Sequence, residues 1–482
     1  MRRVCLTLPT NRACSATIRS VAEEAAYGVR HFGVEVRLLI LDSSDAPVLA
    51  EHRAAVAALP PVPGVVVHHL DEEGQRNFLR ETITAAGVAA PERMLDLMLP
   101  SGVSYGACTN RAFLLAEALG CSSVHRRDSD SRYQYLRGEP VFPLHHELTA
   151  LGRRAAELTG QVTRSRLDPA LAERPVAMVG GSFVGEMSVD VEEIRRLDPA
   201  VYEEVVGLSL PEGYPEIWRR NLITESFRGA GTAAFTDDLT TLTTVSPMRV
   251  DMCNIAFDRE VYARVPLPPA LDTIGSDYFL IHLVHDARLP GVLHNRHIVN
   301  FHTNERRSDE GFLSYQLRFA KFLLAAPHLN AVYAALRETG DGLLDGTGRL
   351  RATAVARSVR DGVRTDPAES LRRLDVLDRA YRTLGDRYAT AADLLLSRRD
   401  RLVDEAVRDM ADFALLIDAW EAVTRAGRAH PLRAAADARS AAEAEAAPDA
   451  EADPNAEAAP GAEADPGVEA AALPLHPVKG TA

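Results

Sequence analysis

The run His125-Arg126-Arg127-Asp128-Ser129-Asp130 places two carboxylates two positions apart, just beyond an apparent strand. At the carboxyl end of a strand in an α/β sheet, such a pair faces the crevice where ligands of these folds bind. Two hard oxygen donors there suit Mg2+ or Mn2+, which keep coordination positions open for phosphate oxygens. Asp-x-Asp alone is a weak signal in a chain with 68 Asp and Glu residues, and a solvated turn is the competing expectation. Three further groups supply what a bound nucleoside diphosphate needs. Pro9-Thr10-Asn11-Arg12 makes a turn able to hold a nucleoside, and Asp42 can hydrogen-bond a base or ribose. Asn110-Arg111 can face phosphates from the start of a helix. Ser129 belongs to the same donor-binding set.

These groups need a scaffold, and the first 150 residues offer one. Short apolar runs at 4–8, 34–41 and 65–67 alternate with amphipathic stretches at 13–29 and 110–119, the pattern of a parallel sheet covered by helices. The polar stretch 125–127 predicts either an edge strand or arginines aimed at a diphosphate. Between 150 and 310, strands are expected at 176–179, 241–245, 252–257, 292–294 and 298–301. A helix is expected over 278–287, with Leu280, Leu283, Val284 and Ala287 on one face. From about 310 to 430 the spacing turns helical, as at Leu371, Leu374, Leu377 and Tyr381. Beyond about 434 the chain is rich in Ala, Glu, Asp and Pro without large apolar residues, so a disordered tail is expected. The expected divisions are 1–150, 151–310, 311–433 and 434–482.

Composition narrows the chemistry. The net charge of −14 includes about nine acids between Glu443 and Glu469 with no base among them, so the rest of the chain is only mildly acidic. No basic stripe with interleaved aromatics is present, which argues against nucleic acid as a partner. Lysine occurs only at Lys321 and Lys479, so a phosphate-binding Gly-Lys-Ser/Thr loop is excluded and Schiff-base chemistry has little to work with. The five cysteines form no Cys-x-x-Cys pair, and buried thiols are expected. No stretch approaches the roughly 18–20 apolar residues of a membrane span, and no leader precedes the first strand, so a cytoplasmic protein is expected.

Taken in chain order, these motifs resemble the GT-A superfamily of nucleotide-sugar glycosyltransferases, closest to the family-2 type, over residues 4–305. That family pairs an Arg-Asn helix with a later Asp-x-Asp; here the order is Asn110-Arg111. The resemblance implies a Rossmann-like α/β core with a mixed sheet, a nucleotide-binding half over 1–150 and an acceptor half over 151–310. The segment from Asp251 to Glu260 resembles the acceptor-side strand. Gly275-Ser276-Asp277 resembles the segment supplying the catalytic carboxylate, although the usual Glu-Asp pair is Ser276-Asp277 here. Asp272 is the substitute base, and an N-cap for the helix at Tyr278 is the competing role for Asp277. His302 resembles a third metal ligand, with His294 and His297 as alternatives. The implied activity is Mn2+- or Mg2+-dependent transfer from a UDP- or GDP-sugar to an acceptor hydroxyl, inverting if the base lies opposite the leaving group. A small specialised metabolite or a cell-envelope precursor is the expected acceptor. A sugar-phosphate nucleotidyltransferase and a non-catalytic scaffold are the rival readings.

Overall fold

The computed structural model describes residues 1–430 and 432, apart from 188–190, 211–212, 214, 302–307, 364–365 and the Trp218 side chain. The described residues belong to one compact unit. The tail expected to be disordered lies outside the described residues.

The strands Arg3–Thr10 and Glu35–Asp42 are nearly continuous apolar runs because both of their faces are covered. Alternation sends Val4, Leu6 and Leu8 toward Ile18 and Val21 of the helix Ser15–Phe32. Cys5, Leu39 and Leu41 go the other way, into a larger core with Phe113 and Met98. Each fully buried Leu or Ile contributes about 1.5–3 kcal/mol.

The nine-stranded sheet is mixed. Its order is Val65–Leu70, Glu35–Asp42, Arg3–Thr10, Ser123–Arg126, Ile255–Asp258, Met178–Gly180, Gly291–His294, Thr240–Thr243, Arg164–Ser165. The first four strands are parallel, and Ile255–Asp258 runs antiparallel to both neighbours. Chain order reverses between Arg3–Thr10 and Ser123–Arg126, so the loops after these two strands flank a crevice. Glu139–Val141, Arg132–Leu136, Ile298–Asn300 and Phe183–Gly185 make a smaller sheet.

The polar strand is not at an edge. Ser123–Arg126 sits between two partners and is buried throughout. Its charges are tolerated because each has a partner. His125 Nδ1 lies 2.8 Å from Glu147 Oε2, and its Nε2 is 2.9 Å from Ser123 Oγ. Just beyond the strand, Arg127 donates to both oxygens of Glu24 at 2.9 and 2.8 Å and to Glu147 at 3.0 Å. Buried charges persist only when paired and hydrogen-bonded.

The helices after residue 308 share the sheet's core. Trp420, fully buried in the helix Arg399–Ala429, donates its indole N–H to the Tyr262 carbonyl at 2.9 Å. Phe413 meets Phe279 edge-on at 4.7 Å. The helix Asp309–Thr339 is an exception to the expectation that nothing approaches span length. It is long and apolar enough to cross a membrane by length and composition, yet 67% of its most apolar window is buried inside the protein. Lys321 on this helix bonds Asp409 at 3.0 Å and the Leu271 carbonyl at 2.7 Å, tying the C-terminal helices to the loop that carries Asp272.

Candidate active site

A cavity of about 740 Å³ opens at the carboxyl ends of the parallel strands. Pro9, Thr10, Asn11, Arg12, Arg111, Asp128, Ser129, Asp130, Asp272 and Asp277 all contribute to its wall. Residues that motif and family resemblance single out, up to 268 positions apart in sequence, thus face one space. Thr10 pairs with Asp42, and Arg126 with Thr7, so the three parallel strands all run out toward the same rim of the sheet.

Asp42 and Asn110 do not reach that wall. Asp42 is 1% exposed; its Oδ2 lies 2.7 Å from His52 Nδ1 and 2.8 Å from His69 Nε2, and its Oδ1 accepts from the Ser44 amide at 3.0 Å. Burial pushes the Asp42 carboxyl up, but the hydrogen bonds from His69, Ser44 and His52 outweigh it and hold it well below the usual range. Its neighbours Leu41 and Ser43 are the ones that line the cavity. Asn110 clamps the Leu267 backbone, donating to its carbonyl and accepting from its amide, both at 2.8 Å. The helix carrying it begins five residues earlier than its spacing suggests, at Tyr105–Ala118, because Ser104 caps it by accepting from the Ala107 amide. Asn110-Arg111 is therefore in the second turn, not at the helix start.

Two guanidinium groups in the cavity wall are not saturated by carboxylates among the described residues. Arg111 is 6% exposed and donates to Gln75 Oε1 at 2.8 Å and the Met98 carbonyl at 2.6 Å, with no carboxylate bonded to it among the described residues. Burial lowers its pKa. Arg12 Nη1 lies 3.6 Å from Asp130 Oδ2, too far for a hydrogen bond, and its buried Nε and Nη1 have no hydrogen-bond partner among the described residues.

Two carboxylates in the same wall share one cation, with Asp130 and Asp251 adding negative charge nearby. Arg126 puts Nη2 3.0 Å from Asp128 Oδ1 and Nη1 2.8 Å from Asp277 Oδ2. Asp251 accepts from the Tyr278 hydroxyl and the Cys253 amide. Burial pushes Asp128 up to about 6; Arg126 opposes this, while Asp130, Asp277 and Asp251 add to it. Burial raises Asp277 as well, against Arg126. Arg126 itself is raised, since Asp128 and Asp277 outweigh its own burial. Asp277 does not cap the following helix. It lies in a single 3-10 turn, Ser276–Tyr278, entered through Gly275 at φ +75°, which releases its side chain toward Arg126. Asp272 stands exposed in the wall, its Oδ1 accepting from the Val103 amide at 3.2 Å.

Of the two arginines before Asp128, Arg127 turns away from the cavity toward Glu24, and Arg126 is occupied by carboxylates. His297 uses Nδ1 to accept from the Ser182 amide at 3.0 Å, and His294 is buried against His146; neither lines the cavity. His302 lies outside the described residues. Among the described residues, no group of three His, Cys, Asp or Glu side chains is arranged to hold a metal. Asp128 and Asp130 remain a hard-oxygen pair beside a surplus of negative charge, a donor set that fits a divalent cation whose other ligands are phosphate and water. Spacing did not point to Asp251 or to the bridging role of Arg126. Charges in a central strand, which demand buried counter-ions, were the available signal.

Fold and site together define an α/β protein with an acid- and arginine-lined cleft at the switch point of its sheet. Over residues 2–436 the chain matches a family of unknown function, DUF6271, and it belongs to that family. No curated protein matches it. Among solved structures it is similar to a mycobacterial protein, at 17% identity and TM-score 0.31, covering 67% of this chain and 74% of the other. The mannosyltransferase PcManGT of Pyrobaculum calidifontis, solved with GDP-Man and Mn2+, shares 13% identity over 86% of this chain and 87% of its own, with a TM-score of 0.34. Residues 1–349 of S. aureus TarS share 12% identity over 85% and 90%, with a TM-score of 0.28. All three scores are below 0.5, so the functional case is carried by this chain's own side chains.

Proposed function

We propose that this chain is a GT-A-type glycosyltransferase that moves a sugar from a nucleoside diphosphate to an acceptor hydroxyl. The observation that carries the reading is the shared cavity, with the Asp128/Asp130 pair facing two guanidiniums, Arg12 and Arg111, that no carboxylate saturates by hydrogen bonding. Arg12 and Arg111 bind and orient the diphosphate, to which buried guanidiniums offer short charge-assisted bonds. Asp128 and Asp130 would hold Mg2+ or Mn2+, which supplies Lewis-acid stabilisation of charge on the leaving group. Asp277 is the general base. Arg126 holds its Oδ2, orienting the carboxylate so that Oδ1 takes the acceptor proton. Asp272, exposed and bonded to a backbone amide, is the weaker candidate.

The test is thermal stability in UDP- and GDP-sugars with and without Mn2+. A ligand at 100 times its Kd stabilises the native state by about 2.7 kcal/mol. Cation-dependent stabilisation that disappears in Asp130→Asn is expected. If no nucleotide or nucleotide sugar shifts the wild type, the transferase reading fails. Sugar nucleotide formation from a sugar phosphate and a nucleoside triphosphate would favour the nucleotidyltransferase rival instead.

A further inference from the structure

The wall of the same cavity also carries groups of different chemistry. Phe227 and Phe322 pack there at a centroid distance of 6.5 Å and an interplanar angle of 77°, both in the cavity wall and both only partly buried. Phe227 adopts φ +63°, a conformation an aromatic residue rarely occupies, so the surrounding packing holds this ring in place against backbone strain. Phe322 lies against Gly275, where an added Cβ would come within 2.9 Å of its ring, and Gly275 is two residues before Asp277. One helical turn before Phe322 stands Arg318, also in the wall. Its Nε is buried without a hydrogen-bond partner, and it forms no ion pair among the described residues. Four residues of helix span about 6 Å. An unsatisfied guanidinium therefore shares this wall with the two rings, one helical turn from Phe322.

Resting on the transferase reading, we propose that the acceptor is a hydroxylated aromatic acid. Its ring packs against the cavity-facing sides of Phe227 and Phe322, its carboxylate pairs with Arg318, and its hydroxyl meets Asp277. Offset or edge-on contacts suit a ring laid against these aromatics, and a guanidinium takes a carboxylate through two parallel bonds. In the transfer, the acceptor oxygen forms the new bond to the sugar carbon. The bond from that carbon to the diphosphate oxygen breaks, the diphosphate keeps the electron pair, and the hydroxyl proton passes to Asp277. A neutral oligosaccharide brings no anion for Arg318.

Calorimetric titration of the full chain with 4-hydroxycinnamate, its methyl ester and maltose tests this. The free acid is expected to bind, with the ester and Arg318→Met each weakening binding by about 10–100-fold, the loss of a charged hydrogen bond. Arg318→Lys should recover part of that loss, and an unchanged melting temperature in Arg318→Met shows that the fold persists. Equal binding of acid and ester, tighter binding of maltose, or indifference to Arg318→Met overturns the proposal. If nucleotides stabilise the protein but the acid does not bind, the acceptor assignment falls and the transferase reading stands. If the acid binds through Arg318 but no nucleotide does, the acceptor role falls together with the transferase reading.

Discussion

Replacing Arg126 by Gln removes the one cation that separates Asp128 from Asp277. Its guanidinium is 4% exposed and bonds the two carboxylates at 3.0 and 2.8 Å, while Asp251 and Asp130 add negative charge nearby. Removing one partner of a buried pair leaves uncompensated charge and costs about 3–5 kcal/mol. With an unfolding entropy of about 2.1 cal/mol/K per residue, that corresponds to roughly 3–6 °C if the unit unfolds as one. The loss should depend on pH in a set direction. Asp128 sits near 6 when folded, raised from 3.8 by burial, so it keeps its proton longer in the folded than in the unfolded state. Its charge therefore erodes stability as pH rises from about 4 through 6, and removing Arg126 deepens that erosion. Melting curves at about pH 7.5 and about pH 5 should show the larger loss at the higher pH, and millimolar Mg2+ should restore part of it there by supplying the missing charge. A loss under about 1 kcal/mol, or one equal at both pH values, would refute the idea that Arg126 balances this carboxylate cluster.

Asp277→Asn should cut transfer by about 10²–10⁴-fold with nucleotide binding retained, and Asp272→Asn by far less, as read by steady-state kinetics on any accepted hydroxyl. Asp409 is raised to about 6 by burial against the pull of Lys321, so the folded state holds its proton longer. Stability from this group is present below about pH 4 and lost as pH rises through about 6, and Asp409→Asn should flatten that slope by up to about 3 kcal/mol in urea titrations. Trp420→Ala, which opens a cavity under the sheet and strips the Tyr262 carbonyl of its donor, should cost about 3–5 kcal/mol in the same titrations.

Elements whose period matches their burial were legible in the chain. The strands at Arg3–Thr10, Glu35–Asp42 and Gly291–His294 and the helix Phe279–Asp286 lie within a few residues of the apolar runs that announced them. The helix Tyr105–Ala118 was read short because nearly every residue in it is buried, which erases the amphipathic stripe that marks helix ends. The strand Ser123–Arg126 hides its place for the opposite reason: its polarity suggests an edge or a diphosphate contact, yet it is central and its charges pair with Glu147 and Asp277.

Local pattern by itself determined that this is an α/β chain with few lysines and an aspartate pair after its fourth strand, because periodicity and composition need no partner to be read. Only the tertiary structure decided which candidates meet. It placed Asp277 on Arg126, 151 residues away, enclosed Asp42 between two histidines, and turned Asn110 into a backbone clamp. A side chain's role depends on the charge and hydrogen-bond donors that reach it. Those come from strands and loops far apart in sequence, brought together by a sheet order that no local spacing encodes.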